Sequence, residues 1–200
     1  ESLLIELSEA HGPSGFEESD RKIMRRELTP LTDSISTDGI GSLIGVKGLS
    51  KQKLKVMLSA HMDEVGLMVR YITDEGFIKF QTLGGWLDQA MIGQRWEIHT
   101  SEGPIEGITG IKTPHVMSSE ERNNVFKRDG LFIDVGASNK KDAEQRLKIK
   151  PGDPISPQSK AVRLNKSNNI IGKAWDDRAG LAVMIGVMEA LKENDLPISL

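Results

Sequence analysis

The stretch from about residue 66 to residue 157 consists of short apolar runs separated by glycine-containing turns, and this pattern most constrains the fold. The turn sequence Asp-Glu-Gly at residues 74–76 lies between two such runs, and Ser-Glu-Gly-Pro at residues 101–104 lies between two more. Many short strands joined by tight turns are typical of a small β-barrel or β-sandwich. We therefore predict a β-rich unit in this part of the chain.

The residues on either side of this stretch show an alternation of helices and strands. Ser14 and Glu17 match a capping box, which predicts a helix that runs from there to about Leu28. Residues 55–60 (Lys-Val-Met-Leu-Ser-Ala) form an apolar run compatible with a strand buried on both faces. Residues 181–191 contain no turn signal beyond a single glycine and predict a further helix. These patterns favour the α/β class, with a sheet covered by helices and interrupted by a β-rich, barrel-like insert.

The predicted organisation has three segments along the chain. A first part of the catalytic domain covers residues 1–66, the β-rich insert covers residues 67–157, and the catalytic domain continues, incomplete, over residues 158–200. The stiff sequence Pro-Gly-Asp-Pro at residues 151–154 marks the exit from the insert.

Composition excludes several classes of function. The formal net charge of −3 argues against nucleic acid as the main partner, since phosphate binding requires a basic face. The chain of 200 residues contains no cysteine, so any metal must be held by His, Asp or Glu. We find no signal-peptide pattern and no apolar run long enough to span a bilayer, and we expect a cytoplasmic protein without a membrane partner.

The first candidate site is a histidine that directly follows the apolar run. In an open α/β sheet, ligands gather at the carboxyl ends of strands, and His61 lies at such an end. Residues two apart in an extended segment point to the same side, so Asp63 could hold the imidazole of His61 in the tautomer that a metal requires. The alternative is a polar loop after a core strand, and the residues alone leave both possibilities open.

The second candidate site is the pair Asp176 and Asp177, which follows a short strand-like run and precedes the last predicted helix. Adjacent carboxylates repel each other unless a cation lies nearby, and one carboxylate can bridge two metal ions. The alternative is helix capping by aspartate, which is common and favourable to the helix dipole.

Both motifs together resemble the tetrahedral aminopeptidase family, also called the glutamyl aminopeptidase or cellulase-M family. They are Ser-Ala-His-Met-Asp-Glu-Val-Gly at residues 59–66 and Gly-Lys-Ala-Trp-Asp-Asp-Arg-Ala-Gly at residues 172–180. Gly-Gly-Trp-Leu-Asp-Gln at residues 84–89 and Pro-His-Val-Met-Ser at residues 114–118 resemble the insert of that family, and residues 10–17 resemble its beginning. The similarity extends over nearly the whole chain in the same order.

The resemblance implies a metal-dependent aminopeptidase with an exopeptidase-like mixed sheet. Such an enzyme hydrolyses N-terminal residues of short peptides with a water activated by two divalent ions, which could be zinc, cobalt or manganese. His61 resembles a ligand of one ion, Asp63 the carboxylate that orients this histidine, and Asp176 the carboxylate that bridges both ions. The peptide bond after Asp176 is expected to be cis, which makes Asp177 structural.

The same resemblance implies what this chain does not contain. The glutamate pair of the family, whose first member is the general base, and two later metal ligands fall beyond the position of Leu200, so we expect a truncated chain that is inactive alone. The insert is expected to form dimers that assemble into a tetrahedral dodecamer, with Trp86 as an exposed candidate for an interface. A related two-metal carboxypeptidase or deacylase, or a non-catalytic self-associating fragment, is the alternative.

Overall fold

The computed structural model describes residues 1–112, 115, 127–194 and 196–200 of the chain. They form two compact units, the first comprising residues 1–64 and 160–200 and the second residues 65–159. The helices are α1 (Ser2–Glu9), α2 (Glu18–Leu28), α3 (Lys140–Gln145) and α4 (Trp175–Ala190). The strands are β1 (Ser34–Thr37), β2 (Leu43–Val46), β3 (Leu54–Lys55), β4 (Gly66–Ile72), β5 (Ile78–Leu83), β6 (Arg95–Thr100), β7 (Gly103–Gly110), β8 (Phe132–Asp134), β9 (Pro154–Pro157), β10 (Val162–Arg163), β11 (Ile170–Ile171) and β12 (Ile198–Ser199).

The second unit is a closed barrel of six strands in the order β4-β5-β8-β7-β6-β9. All six pairings are antiparallel, and the two predicted hairpins join β4 to β5 and β6 to β7. Along β6, Trp96 and Ile98 are fully buried while Arg95 is exposed, which is the period of two that a strand with one buried face requires. The prediction of a barrel-like insert is confirmed.

Trp86 was a predicted exposed anchor, and the structure places it differently. Its ring packs edge-on against Trp96 with ring centroids 5.2 Å apart, and its indole N–H donates to the carbonyl of Gly66 at 3.1 Å. An indole satisfies its single donor in this way when its ring is buried. Trp86 is therefore half-buried against the barrel core, and the prediction of an exposed anchor is wrong.

The first unit is a mixed α/β structure, as predicted. Its core is formed where α1, α2 and α4 meet, and Leu7, Met24 and Leu181 are among its buried side chains. The antiparallel pairs β1-β2 and β10-β11 and the parallel pair β3-β12 complete it. Among the helices that the structure describes, none is long and apolar enough to cross a membrane.

The apolar run at residues 55–60 differs from its prediction. Only its beginning is paired, because β3 contacts β12 and the amide of Val56 donates to the carbonyl of Ser199 at 2.9 Å. Met57 is 85% exposed, so the prediction of a strand buried on both faces is wrong. Burial on both faces requires paired strands and covering helices, and within the described residues β12 alone pairs with this segment.

The beginning of α2 also corrects a prediction. The Ser14 hydroxyl does not cap this helix but donates to the carboxylate of Asp63. The Glu17 carboxylate accepts from the amide of Gly15 at 2.7 Å. Gly15 has a φ of +87° and turns the chain between Ser14 and the helix, so the predicted capping box does not form.

Candidate functional site

Two segments of the first unit bring the predicted site residues together. His61 follows the exposed apolar run, and Asp176 lies in the first turn of α4, 115 positions further along the chain. Nε2 of His61 is 3.0 Å from Oδ1 of Asp176. On the other side of the ring, Nδ1 of His61 is 3.0 Å from Oδ1 of Asp63. Each ring nitrogen therefore contacts a different carboxylate.

This group of side chains is open to solvent. The side chain of His61 is 53% exposed and that of Asp176 is 96% exposed, so a small ion or substrate can reach both. Partial burial lowers the pKa of His61, but the hydrogen bond to Asp176 and the charge of Asp63 outweigh it and leave this pKa above its ordinary value. The two carboxylates thus favour a positive charge between them, carried by a proton or by a metal ion.

The start of α4 separates the roles of the two adjacent aspartates. The peptide bond between Asp176 and Asp177 is cis, as predicted. Both residues have non-helical backbone angles, so the regular helix begins at Arg178. Oδ1 of Asp177 accepts from the amide of Gly180 at 3.2 Å and caps this helix. The capping alternative therefore describes Asp177, whereas Asp176 contacts His61.

Three charged residues lie close to these side chains in sequence, and together with Asp20 they form a group of buried charges. We call this group the buried charge cluster: Asp20, Glu64, Lys173 and Arg178. The Arg178 guanidinium donates to Asp20 at 3.0 Å and lies 3.6 Å from Glu64, and the Lys173 ammonium is 2.5 Å from Glu64. Arg178 also donates to three backbone carbonyls, those of Leu7, Ala10 and Met62. The cluster joins the segment that carries His61 to the start of α4.

The charge states of this cluster depend on its burial. Desolvation raises the pKa of Asp20 to about 7, even though the adjacent Arg178 charge acts in the opposite direction. Burial likewise lowers the pKa of Lys173, and the charge of Glu64 opposes that shift. Burial destabilises the charged forms of both Asp20 and Lys173, so each requires an oppositely charged partner in order to stay buried.

The sequence reasoning did not identify this cluster, although one signal pointed to it. Asp20 stands at four-residue spacing with Met24 and Leu28, so it lies on the buried face of α2. A carboxylate on an apolar helix face requires a cation, and its partner Arg178 is 158 positions away. Local sequence patterns cannot reveal a pair of residues that lie so far apart along the chain.

The donor atoms of His61 and Asp176 fit part of a metal shell. Imidazole nitrogen and carboxylate oxygen suit zinc and its neighbours, and two ligands of one such ion are roughly 2.8–3.6 Å apart. The observed separation of 3.0 Å lies in that range. Within the described ranges, no three His, Asp or Glu side chains are grouped to hold an ion, so a complete shell needs further ligands.

An α/β unit that carries these side chains and is interrupted in sequence by a closed barrel is the architecture found in a solved TET aminopeptidase structure. The chain belongs to the M42 glutamyl aminopeptidase family, whose family model matches residues 41–200. The glutamyl aminopeptidase of Lactococcus lactis subsp. cremoris (strain MG1363) is 31% identical to it over 196 residues, covering 97% of this chain and 55% of the relative.

Two solved structures share the fold. The TET aminopeptidase of the marine sediment archaeon Thaumarchaeota archaeon SCGC AB-539-E09 is 34% identical, with a TM-score of 0.94 over 99% of this chain and 56% of its own. The TET1 peptidase of Pyrococcus horikoshii, which can assemble into a tetrahedron or a large octahedral shell, is 31% identical, with a TM-score of 0.85 over 99% of this chain and 58% of its own. The present chain thus spans about half the length of the relatives it matches.

Proposed function

We propose that the whole protein is an aminopeptidase that removes N-terminal residues from short peptides with a water activated by two divalent ions, which could be zinc, cobalt or manganese. The observation that carries this proposal is the 3.0 Å approach of the His61 imidazole to Asp176, with Asp63 on the opposite ring nitrogen. Membership of a family of aminopeptidases supports the same conclusion.

The roles of the site residues follow from their contacts. Nε2 of His61 would bind one ion, and Asp176, exposed and with two carboxylate oxygens, would bridge both. Nδ1 of His61 lies 3.2 Å from the backbone carbonyl of Asp63 and 3.0 Å from its carboxylate, and an acceptor at this position keeps the proton on Nδ1 and the lone pair on Nε2. The ions, when bound, polarise the peptide carbonyl and lower the pKa of a bound water. We assign the general base to no carboxylate among the present 200 residues.

We further propose that the second unit mediates self-association, with dimers that assemble into a tetrahedral dodecamer in the cytoplasm. This part of the proposal is supported by the TET1 peptidase of Pyrococcus horikoshii, which forms closed shells. A non-catalytic self-associating protein would need the barrel but no open His–carboxylate pair. The presence of that pair in the first unit favours an enzyme.

The substrate class and the need for a metal can be tested together in the full-length protein. We expect cleavage of a peptide with a free α-amine, none of its N-acetylated form, and full cleavage of its C-terminally amidated form. A chelator should abolish cleavage, because the ions activate the water, and added Zn²⁺, Co²⁺ or Mn²⁺ should restore it. Hydrolysis of the acetylated peptide, loss of hydrolysis on amidation, or indifference to chelator would contradict the proposal.

A further inference from the structure

We propose that Ser14 is a positioning residue of this metal centre, whose hydroxyl fixes the Asp63 carboxylate and through it the ring of His61. The inference rests on the proposed function, because it assumes that His61 binds a metal ion. No motif of the sequence assigns this role to Ser14, whose hydroxyl was expected to cap α2.

The two oxygens of Asp63 have different partners. Oδ2 accepts from the hydroxyl of Ser14, and Oδ1 is 3.0 Å from Nδ1 of His61. With one contact on each oxygen, rotation of the carboxylate would break the hydrogen bond from Ser14 or the contact with Nδ1, a ring nitrogen that also lies 3.2 Å from the backbone carbonyl of Asp63. An oriented carboxylate fixes both the tautomer and the direction of the imidazole, and partners of this kind tune metal affinity.

The loop that carries Ser14 is held in one conformation. The amide of Phe16 donates to the carbonyl of Pro13 at 2.8 Å, which closes a tight turn around Ser14 and Gly15. Gly15 occupies the left-handed region, with a φ of +87°, and its amide donates to Glu17. Ser14 is itself exposed, but its backbone is fixed on both sides.

The same loop is hydrogen-bonded to a member of the buried charge cluster. The amide of Glu64 donates to the carbonyl of Gly12 at 2.9 Å, and the amide of Gly12 donates back to the Glu64 carboxylate at 3.2 Å. Pro13 and Glu64 form a parallel bridge, which sets the register that brings Ser14 beside Asp63.

Residue 12 must also be small. A Cβ at Gly12 would lie 2.3 Å from Oδ2 of Asp20 and 2.9 Å from the Arg178 guanidinium, so only glycine allows this approach. Arg178 is the residue at which the regular part of α4 begins, two positions after Asp176. The His61 segment and the start of α4 therefore both contact the buried charge cluster, and the Ser14 loop contacts the same cluster.

A purely structural role for Ser14 would predict a different result from a positioning role. Loss of an exposed hydroxyl contact should change apo-protein stability little, and by itself it should not change metal binding. A positioning role predicts weaker metal binding with an unchanged fold. The informative quantity is thus the Zn²⁺ dissociation constant of the full-length protein, measured by competition with a chromophoric chelator, together with the melting temperature of the apo-protein.

We expect Ser14→Ala to weaken Zn²⁺ binding by about 10-fold, and Ser14→Thr, which keeps the hydroxyl, to bind within about two-fold of the wild type. Ser19→Ala is the matched control, since Ser19 is exposed on α2 five residues further along. In an Asp63→Ala background, Ser14→Ala should add no further loss, because the hydroxyl acts through that carboxylate.

A His61→Ala variant separates the two proposals. If it binds Zn²⁺ as tightly as the wild type, the proposed metal centre is wrong and the role of Ser14 falls with it. If His61→Ala loses Zn²⁺ while Ser14→Ala binds like the wild type or like Ser19→Ala, the metal centre stands and the role of Ser14 is wrong.

Discussion

Asp176→Asn in the full-length protein is expected to lower kcat/KM for peptide hydrolysis by about 10³, which corresponds to about 4 kcal/mol of lost transition-state stabilisation. Asparagine keeps the size of the side chain but removes the negative charge that a bridging ligand supplies. The Asp176 side chain is 96% exposed in the present chain, so the metal-free protein should keep its fold. Steady-state kinetics with a free-amine dipeptide, at fixed added metal, measure the effect.

The neighbouring Asp177 provides the matched control. Asp177→Asn keeps the oxygen that caps α4 through Gly180, and we expect a fall in kcat/KM of less than about 10-fold. If both variants lose activity equally, the division of roles between the two aspartates is wrong. If Asp176→Asn retains wild-type activity, Asp176 is not a metal ligand.

Arg178→Met should destabilise the first unit by about 3–5 kcal/mol, because it leaves Asp20 buried without its cation. The guanidinium is fully buried and also satisfies the carbonyls of Leu7, Ala10 and Met62, which lose a donor in the variant. Hydrogen exchange of the α4 amides measures the loss in this unit alone, which is necessary because two units need not unfold together.

Two further variants define the cause of that loss. Arg26→Ala removes an exposed pair with Glu6 in the same unit, and we expect a much smaller effect. Adding Asp20→Leu to Arg178→Met removes the uncompensated charge and should restore part of the stability. A loss for Arg178→Met no larger than that for Arg26→Ala would show that the buried charge cluster does not hold the unit together.

Features with a local cause were predictable from the sequence. The hairpin turns, the barrel and the helices α2 and α4 follow from patterns within about ten residues of each other. The pairing of His61 with Asp176 spans 115 positions, and it was predicted from the resemblance of both motifs to one family rather than from either motif alone.

The errors and omissions have a different physical origin. The exposure of Met57 and the burial of Trp86 depend on which elements cover them, and no local pattern carries that information. Ser14 matched a capping box, but a contact with Asp63, 49 positions away, determined its partner. The spacing of Asp20 places it on the buried face of α2, but its partner Arg178 lies 158 positions away and no local pattern connects the two. Tertiary contacts therefore decided each of these cases.

Anomalous diffraction from zinc-soaked crystals of the full-length protein will show whether His61 and Asp176 bind the same metal centre. We expect a zinc peak about 2.0–2.2 Å from both Nε2 of His61 and a carboxylate oxygen of Asp176. Zinc peaks confined to other parts of the molecule, with none within bonding distance of these two side chains, would show that they do not bind a metal ion.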